Sequence, residues 1–397
     1  MRLGGMIPGV AETRTRRWYA PMVARDTGEP HRVATSLELL FDLCFVVAVA
    51  RAAAQLHHDL SAGHAGHGVL GYVMVFFAIW WAWVNFTWFA SAYDTDDAVY
   101  RLTTLIQISG VLILAAGVTR AADHDDFRVV TVGYVVMRLA LVAQWLRAAH
   151  GDPPRRPAAL RFAIGVTAVE VGWVLRIWLP AAWAVPSFVV LGLAELAVPV
   201  WAERQARTTW HPHHIVERYG LFTLIVLGES ILAATTALQS ALDNGGHLRG
   251  ALTVAGCGLV IVFALWWKYF DRSAVGRLTS LPRGIAWGYG HYLVFASAAA
   301  VGVGLTVAVD RVTGAPIGAR LAGYAVAVPV AIYLLTVWLL HRQSHGSVLA
   351  RIAVPVAVAL VLAAPLTPVP LPLIALILAV LVALSQVRRD RRAAGAG

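Results

Sequence analysis

Lysine is almost missing from this chain: of its 32 basic residues 31 are Arg, and Lys268 is the lone Lys. Charge of either sign is scarce, at 14% of residues against 59% hydrophobic and a mean hydropathy of +0.67, whereas a soluble domain carries about 25% charged residues. That shortage excludes an ordinary water-soluble fold. Cysteine is scarcer still: Cys44 and Cys257 both fall in apolar segments, which excludes a disulfide framework and suggests no metal site. A glycine-rich phosphate cradle, a nucleophile elbow and a Cys pair are all lacking, so no catalytic residue and no cofactor is expected. No cleavable signal is read either, because the first apolar run begins only at residue 37 and is too long for a leader.

What the chain does have is apolar runs of about 20 residues, the length with which a helix crosses about 30 Å of hydrocarbon. They lie at 37–56, 69–92, 102–119, 129–147, 159–179, 183–201, 215–238, 250–270, 286–309, 321–340, 348–365 and 371–387. The expected fold is therefore an all-α integral membrane protein of about twelve transmembrane helices. The least distinct pairs are the two runs around Pro180 and the last two, interrupted by Pro365, Pro368, Pro370 and Pro372.

Lys and Arg accumulate on the cytoplasmic side of membrane proteins. With twelve spans and a cytoplasmic start, the inside segments collect 24 basic residues and the outside segments five, with Arg51, Arg138 and Arg176 left within spans. Both termini are therefore expected in the cytoplasm of a bacterial inner membrane. The organisation that follows is a basic tail at 1–36, a first six-span half at 37–201, a second at 202–387 and a tail at 388–397. The net charge of +10 needs no nucleic acid. Arg14, Arg16 and Arg17 read as topology determinants against anionic lipid, so the expected partner is the bilayer.

The halves resemble each other faintly. Glu38 opens span one and Glu217 span seven, while Trp80-Trp81 in span two is echoed by Trp266-Trp267 in span eight. Six spans per half would make this a parallel duplication of two six-helix repeats.

Acids inside apolar helix carry the chemistry. Glu38 and Asp42 are four residues apart, which sets them about 40° apart on one helical face. Arg51 points elsewhere, so the helix cannot neutralise its own acids, and their partners must come from another element or be a cation or proton. Glu229 lies deep in span seven behind Gly228, a residue that lets another helix approach closely. Such a carboxylate must be paired, protonated or solvated in a cavity.

The segment Glu38-Leu39-Leu40-Phe41-Asp42-Leu43-Cys44-Phe45-Val46, the Trp-rich second span, and above all His214-Ile215-Val216-Glu217-Arg218-Tyr219-Gly220-Leu221-Phe222-Thr223-Leu224-Ile225-Val226-Leu227-Gly228-Glu229-Ser230-Ile231 resemble the bacterial low temperature requirement protein A family. The resemblance spans roughly 36–385 and is sharpest at these segments. It implies a multi-pass bacterial inner-membrane protein linked by name to growth in the cold, and it names no reaction or substrate.

The remaining polar groups have bland and sharp readings. Tyr93-Asp94-Thr95-Asp96-Asp97 reads as a solvated loop with a helix-capping Asp, or as an ion-recruiting vestibule. Arg138, Glu170, Arg176 and Glu195 read most simply as interhelical ion pairs, or as pairs that change partners during a transport cycle. The histidines at 57, 58, 64 and 67 and at 211, 213 and 214 lack the spacing of a metal site. Lys268 either snorkels to the interface or faces Glu229 or Glu38 as an amine able to lose its proton. The leading expectation is a transporter or channel-like permease for a small ion or proton, its polar path formed by Glu38, Asp42, Asp94, Glu217, Arg218, Glu229, Ser230, Lys268 and Asp271. The alternatives are a structural or accessory membrane protein and a membrane-embedded enzyme acting on lipid. The oligomeric state is left open.

Overall fold

The computed structural model describes residues 18–26, 33–124, 126–243, 248–271, 274–341 and 348–394. Arg14, Arg16, Arg17 and Arg272 lie outside the described residues. Among those described there is no strand, and the helices in chain order are α1 (Ser36–Ser61), α2 (Ala65–Tyr93), α3 (Ala98–His124), α4 (Arg128–Gly151), α5 (Arg156–Leu175), α6 (Ala184–Ala202), α7 (Pro212–Asp243), α8 (Leu248–Phe270), α9 (Leu281–Val312), α10 (Ala319–Leu340), α11 (Val348–Ala363) and α12 (Pro370–Ala394).

Ten of these helices, all but α1 and α11, are long and apolar enough to cross a membrane. The expected spans 37–56 and 348–365 fall on α1, which buries Glu38, Asp42 and Asp59 among its apolar positions, and on α11, which has 16 residues and passes through a 3-10 turn at Ala364–Leu366 into α12. Around Pro180 the chain makes two 3-10 turns, Arg176–Trp178 and Ala181–Trp183, so α5 and α6 are separate helices. Proline cannot continue the hydrogen-bond ladder there but fits a helix's first turn, where it stands in α5 and α9.

Short connections make successive helices antiparallel, and the bundle has two ends. One, called here the first face, gathers the segment before α1, the α2–α3 turn and residues 203–211: Arg25 N–H bonds to Ala92 O at 3.0 Å and His211 N–H to Ser91 Oγ at 3.0 Å. At the second face Gln55 Nε2 bonds to Asp123 at 2.9 Å and His57 meets Asp310 at 2.6 Å.

α2 and α9 form the centre. Trp80, Trp81, Trp83, Phe86 and Phe89 of α2 are buried, as are Val294, Phe295, Ala298 and Val301 of α9. Lipid cannot supply a hydrophobic drive for helix association, so close backbone approach at small residues matters more. A Cβ on Gly110 of α3 would come within 2.7 Å of the Gly133 carbonyl of α4, and one on Gly302 of α9 within 2.8 Å of Ser230 Cα of α7. The close approach expected at Gly228 is not found, since a Cβ there would meet nothing within 4 Å. The helix stripe that faces α9 runs through Ser230 instead, which donates to Ala298 O at 2.8 Å. The two Trp pairs that suggest a repeat differ in surroundings: Trp80 and Trp81 are buried, whereas Trp266 and Trp267 are exposed.

Candidate functional site

Two buried charge clusters flank α2. The first begins with Thr35, whose side chain caps α1 while its N–H donates to Glu38 Oε2 at 2.7 Å, closing a capping box. The other Glu38 oxygen faces α7, 3.0 Å from both His214 Nε2 and Arg218 Nη1. One helical turn on, Arg218 forks onto Asp42, with Nη2 to Oδ1 at 2.6 Å and Nε to Oδ2 at 3.1 Å, and Trp83 Nε1 donates to Asp42 Oδ1 at 2.6 Å. The four-residue step from Glu38 to Asp42 is thus matched by the step from His214 to Arg218, so the helices meet as two rungs. All four side chains are 0% exposed. With His214 protonated the cluster is formally neutral, and with it neutral the cluster carries one excess negative charge.

The second cluster is drawn from α2, α4, α5 and α6. Arg138 Nη2 donates to Glu195 Oε1 at 3.1 Å and also makes a short bond to Tyr134 Oη. Tyr134 Oη and Trp173 Nε1 donate to that same oxygen at 3.1 and 3.2 Å, and Trp81 Nε1 donates to Glu195 Oε2 at 2.8 Å. Glu170 of α5 is buried and within electrostatic reach of Arg138 and Glu195. Neither of its oxygens has a hydrogen-bond partner among the described residues, and neither do Arg138 Nε and Nη1. One guanidinium here faces two carboxylates.

Cavities abut this cluster from both ends of the bundle. Toward the second face, about 470 Å³ of space counted with its open mouth is lined by Tyr134, Trp173, Arg176 and Phe188. Toward the first face, about 530 Å³ is lined by Trp81, Trp88, Trp145, Phe162, Glu203 and Tyr289. Two wall residues of the former donate to one oxygen of Glu195, and a wall residue of the latter donates to the other. Glu195 therefore bonds to wall residues of both cavities.

The other sequence-predicted residues are scattered. Asp94 is paired with Arg25 at 3.1 Å, and Asp97 with Arg147 through a short contact, while Asp97 also accepts the N–H of Ala20 at 2.7 Å and of Tyr100 at 2.8 Å. The acidic loop thus caps α3 and ties down the chain's own amino-terminal segment. Burial opposes ionisation of Asp97, but these donors outweigh it and hold its carboxyl below the ordinary range. Glu217 and Lys268 are half-buried, and Asp271 accepts a long 3.5 Å bond from Gln386. Glu229 is half-buried and forms no ion pair with Lys268 among the described residues. Arg176, expected in an ion pair, instead clamps the α5–α6 break through Ser187 Oγ at 3.1 Å and Ala184 O at 2.8 Å.

The chain matches, over residues 33–386, the family described as bacterial low temperature requirement A protein (LtrA). It belongs to that family. An uncharacterized protein of Rhizobium meliloti (strain 1021) is 26% identical over 248 residues, which cover 59% of this chain and 57% of that protein. The LtrA chain here therefore spans little more than half the length of the curated relative it matches. No solved structure matches it.

Sequence reasoning about this LtrA protein missed the neutral donors. Trp81, Trp83, Tyr134 and Trp173 hold the carboxylates, and His291 of α9, buried, bonds to Tyr269 Oη at 2.9 Å and Trp287 O at 2.8 Å. The available signal was aromatic residues with polar tips inside apolar spans.

Proposed function

We propose that this protein is a proton-linked permease of the bacterial inner membrane, with twelve spans, both termini in the cytoplasm and its path through α2, α4, α5, α6 and α9. The observation that carries this reading is Glu195, whose two oxygens are held by wall residues of two separate cavities. A solute in either cavity that displaces an aromatic donor unbinds one side of Glu195, and the carboxylate, already bonded to Arg138 Nη2, then turns toward Arg138 Nε and Nη1, which have no hydrogen-bond partner among the described residues. Buried groups with two discrete pairings are the elements through which a transport cycle couples its ends. Glu170 is the proton carrier in this scheme, because two buried carboxylates against one guanidinium leave an excess negative charge that the membrane interior penalises. Protonating Glu170 removes it, and ionising Glu170 returns it.

In this scheme Glu38, Asp42 and Arg218 form the cytoplasmic-end pairing that opens and closes with the cycle, and Glu217, Glu229, Ser230, Lys268, Asp271 and Asp94 are of secondary importance to the path. A second reading has one observation in its favour: Asp42 is already held by three donor contacts at full burial, as expected of a lock between α1 and α7 in an accessory protein.

The test is proton movement in proteoliposomes loaded with a pH-sensitive dye and given a membrane potential. The wild type is expected to move protons, and Glu170→Gln and Glu195→Gln to lose at least most of that flux while melting as folded proteins. Wild-type protein that moves no protons under either polarity, with any candidate solute present, sinks the permease reading and leaves the accessory reading ahead.

A further inference from the structure

The two cavities differ in the charge of their walls. The cavity toward the second face includes Arg176. The one toward the first face has no Arg, Lys or His among its lining residues, and its carboxylate is Glu203, at the end of α6. Around that carboxylate stand Trp81, Trp88, Trp145, Phe162 and Tyr289. Trp81 and Tyr289 meet edge to face at 5.5 Å, and Trp145 and Phe162 stack at 4.2 Å. Asn85 also lines the space and uses its amide N–H to reach Trp81 O at 2.7 Å.

An aromatic wall attracts a cation through the negative faces of its rings, best for a cation too weakly hydrated to lose much on leaving water. A metal ion would find few oxygens here: Glu203 already accepts from Thr208 N–H at 2.9 Å and from Thr208 Oγ1 at 2.5 Å. An anion would meet the carboxylate and no cationic side chain in the cavity wall. A neutral apolar molecule would leave the charge unused. Burial pushes the Glu203 carboxyl above its ordinary range, with the Thr208 bonds and the exposed Arg207 pulling it only partly back. A cation beside it relieves that desolvation penalty.

We infer that this cavity is a binding site for an organic ammonium cation, held by the rings of Trp81, Trp88, Trp145 and Tyr289 with Glu203 as its counter-charge. The inference deepens the permease reading by naming the class of its solute, and it rests on that reading for the claim that the cation is moved. Trp81 is shared between the cavity wall and Glu195, so a cation seated against it bears directly on the mid-bundle cluster.

The test uses the full chain in lipid nanodiscs with benzyltrimethylammonium as probe, followed by tryptophan fluorescence and by equilibrium dialysis of the labelled cation. Saturable binding is expected, with neopentylbenzene, the uncharged carbon isostere, failing to compete. Glu203→Gln, which keeps the shape and part of the Thr208 bonding, and Trp88→Leu should each weaken binding about tenfold, with folding checked by melting temperature. No saturable binding to wild type, equal competition by neopentylbenzene, or unchanged affinity in both folded variants overturns the inference. Cation binding without any flux in liposomes would overturn the permease reading and leave the site standing. Proton flux without cation binding would do the reverse.

Discussion

Trp81 and Trp83 lie two residues apart on α2 and donate their indole N–H groups to different charge clusters, Trp81 to Glu195 at 2.8 Å and Trp83 to Asp42 at 2.6 Å. Two residues turn a helix by about 200°, so the two indoles leave opposite sides of the same backbone. α2 is thus a partition between the α1–α7 cluster and the α4–α5–α6 cluster. Any rotation of α2 strains both indole–carboxylate bonds together.

Replacing each indole separately should divide the roles. Trp83→Phe removes a donor from a fully buried carboxylate, and a hydrogen bond to a charged group contributes about 1.5–3 kcal/mol. The expected outcome is chiefly a lower melting temperature, with proton flux per folded molecule reduced less than by Trp81→Phe. Trp81→Phe should cost flux more than stability. Flux lost equally in both variants at equal stability would contradict the division.

Arg218 should be the least replaceable side chain. Arg218→Met would leave Glu38 and Asp42 buried without their guanidinium, and breaking such a pair from one side costs about 3–5 kcal/mol. Arg218→Lys should not restore it, because an ammonium cannot fork onto Asp42 while reaching Glu38. The yield of monodisperse protein after detergent extraction measures this, and wild-type yield of Arg218→Met would refute it.

Glu170 should behave in the opposite way. Its carboxyl is buried without a hydrogen bond among the described residues, and replacing an unsatisfied polar group with an apolar one of similar size is often neutral or stabilising. Glu170→Leu is therefore expected to melt no lower than wild type while losing proton uptake. A marked fall in melting temperature would mean that Glu170 is bonded in the folded state.

Docking of residues 18–26 should fail in acid. The Asp97 carboxyl is held below the ordinary range by its donors, so ionised Asp97 favours the docked state. That stability is fully present above the unfolded carboxyl pKa of about 3.9 and is lost as pH falls through the lowered folded value. Amide exchange at Ala20, whose N–H is bound to Asp97, should stay slow at neutral pH and lose its protection only below about pH 4. In Asp97→Asn it should be fast at every pH, and a protected Ala20 in that variant would rule the mechanism out.

The sequence by itself determined which runs are long and apolar enough to cross a membrane, ten of them on helices of the structure, and which residues share a helical face. Hydrophobic runs of bilayer length exist before any packing is known, and a period of about 3.6 residues puts Glu38 beside Asp42. It also showed that α1 could not neutralise its own acids. Which partner does so was decided by tertiary structure, since Arg218 stands 176 residues from Asp42 along the chain and nothing local ties one to the other. Above all, an indole N–H is invisible as a functional group until a carboxylate from a distant helix is placed against it, because a Trp in an apolar span reads as hydrophobic mass whichever way its nitrogen points.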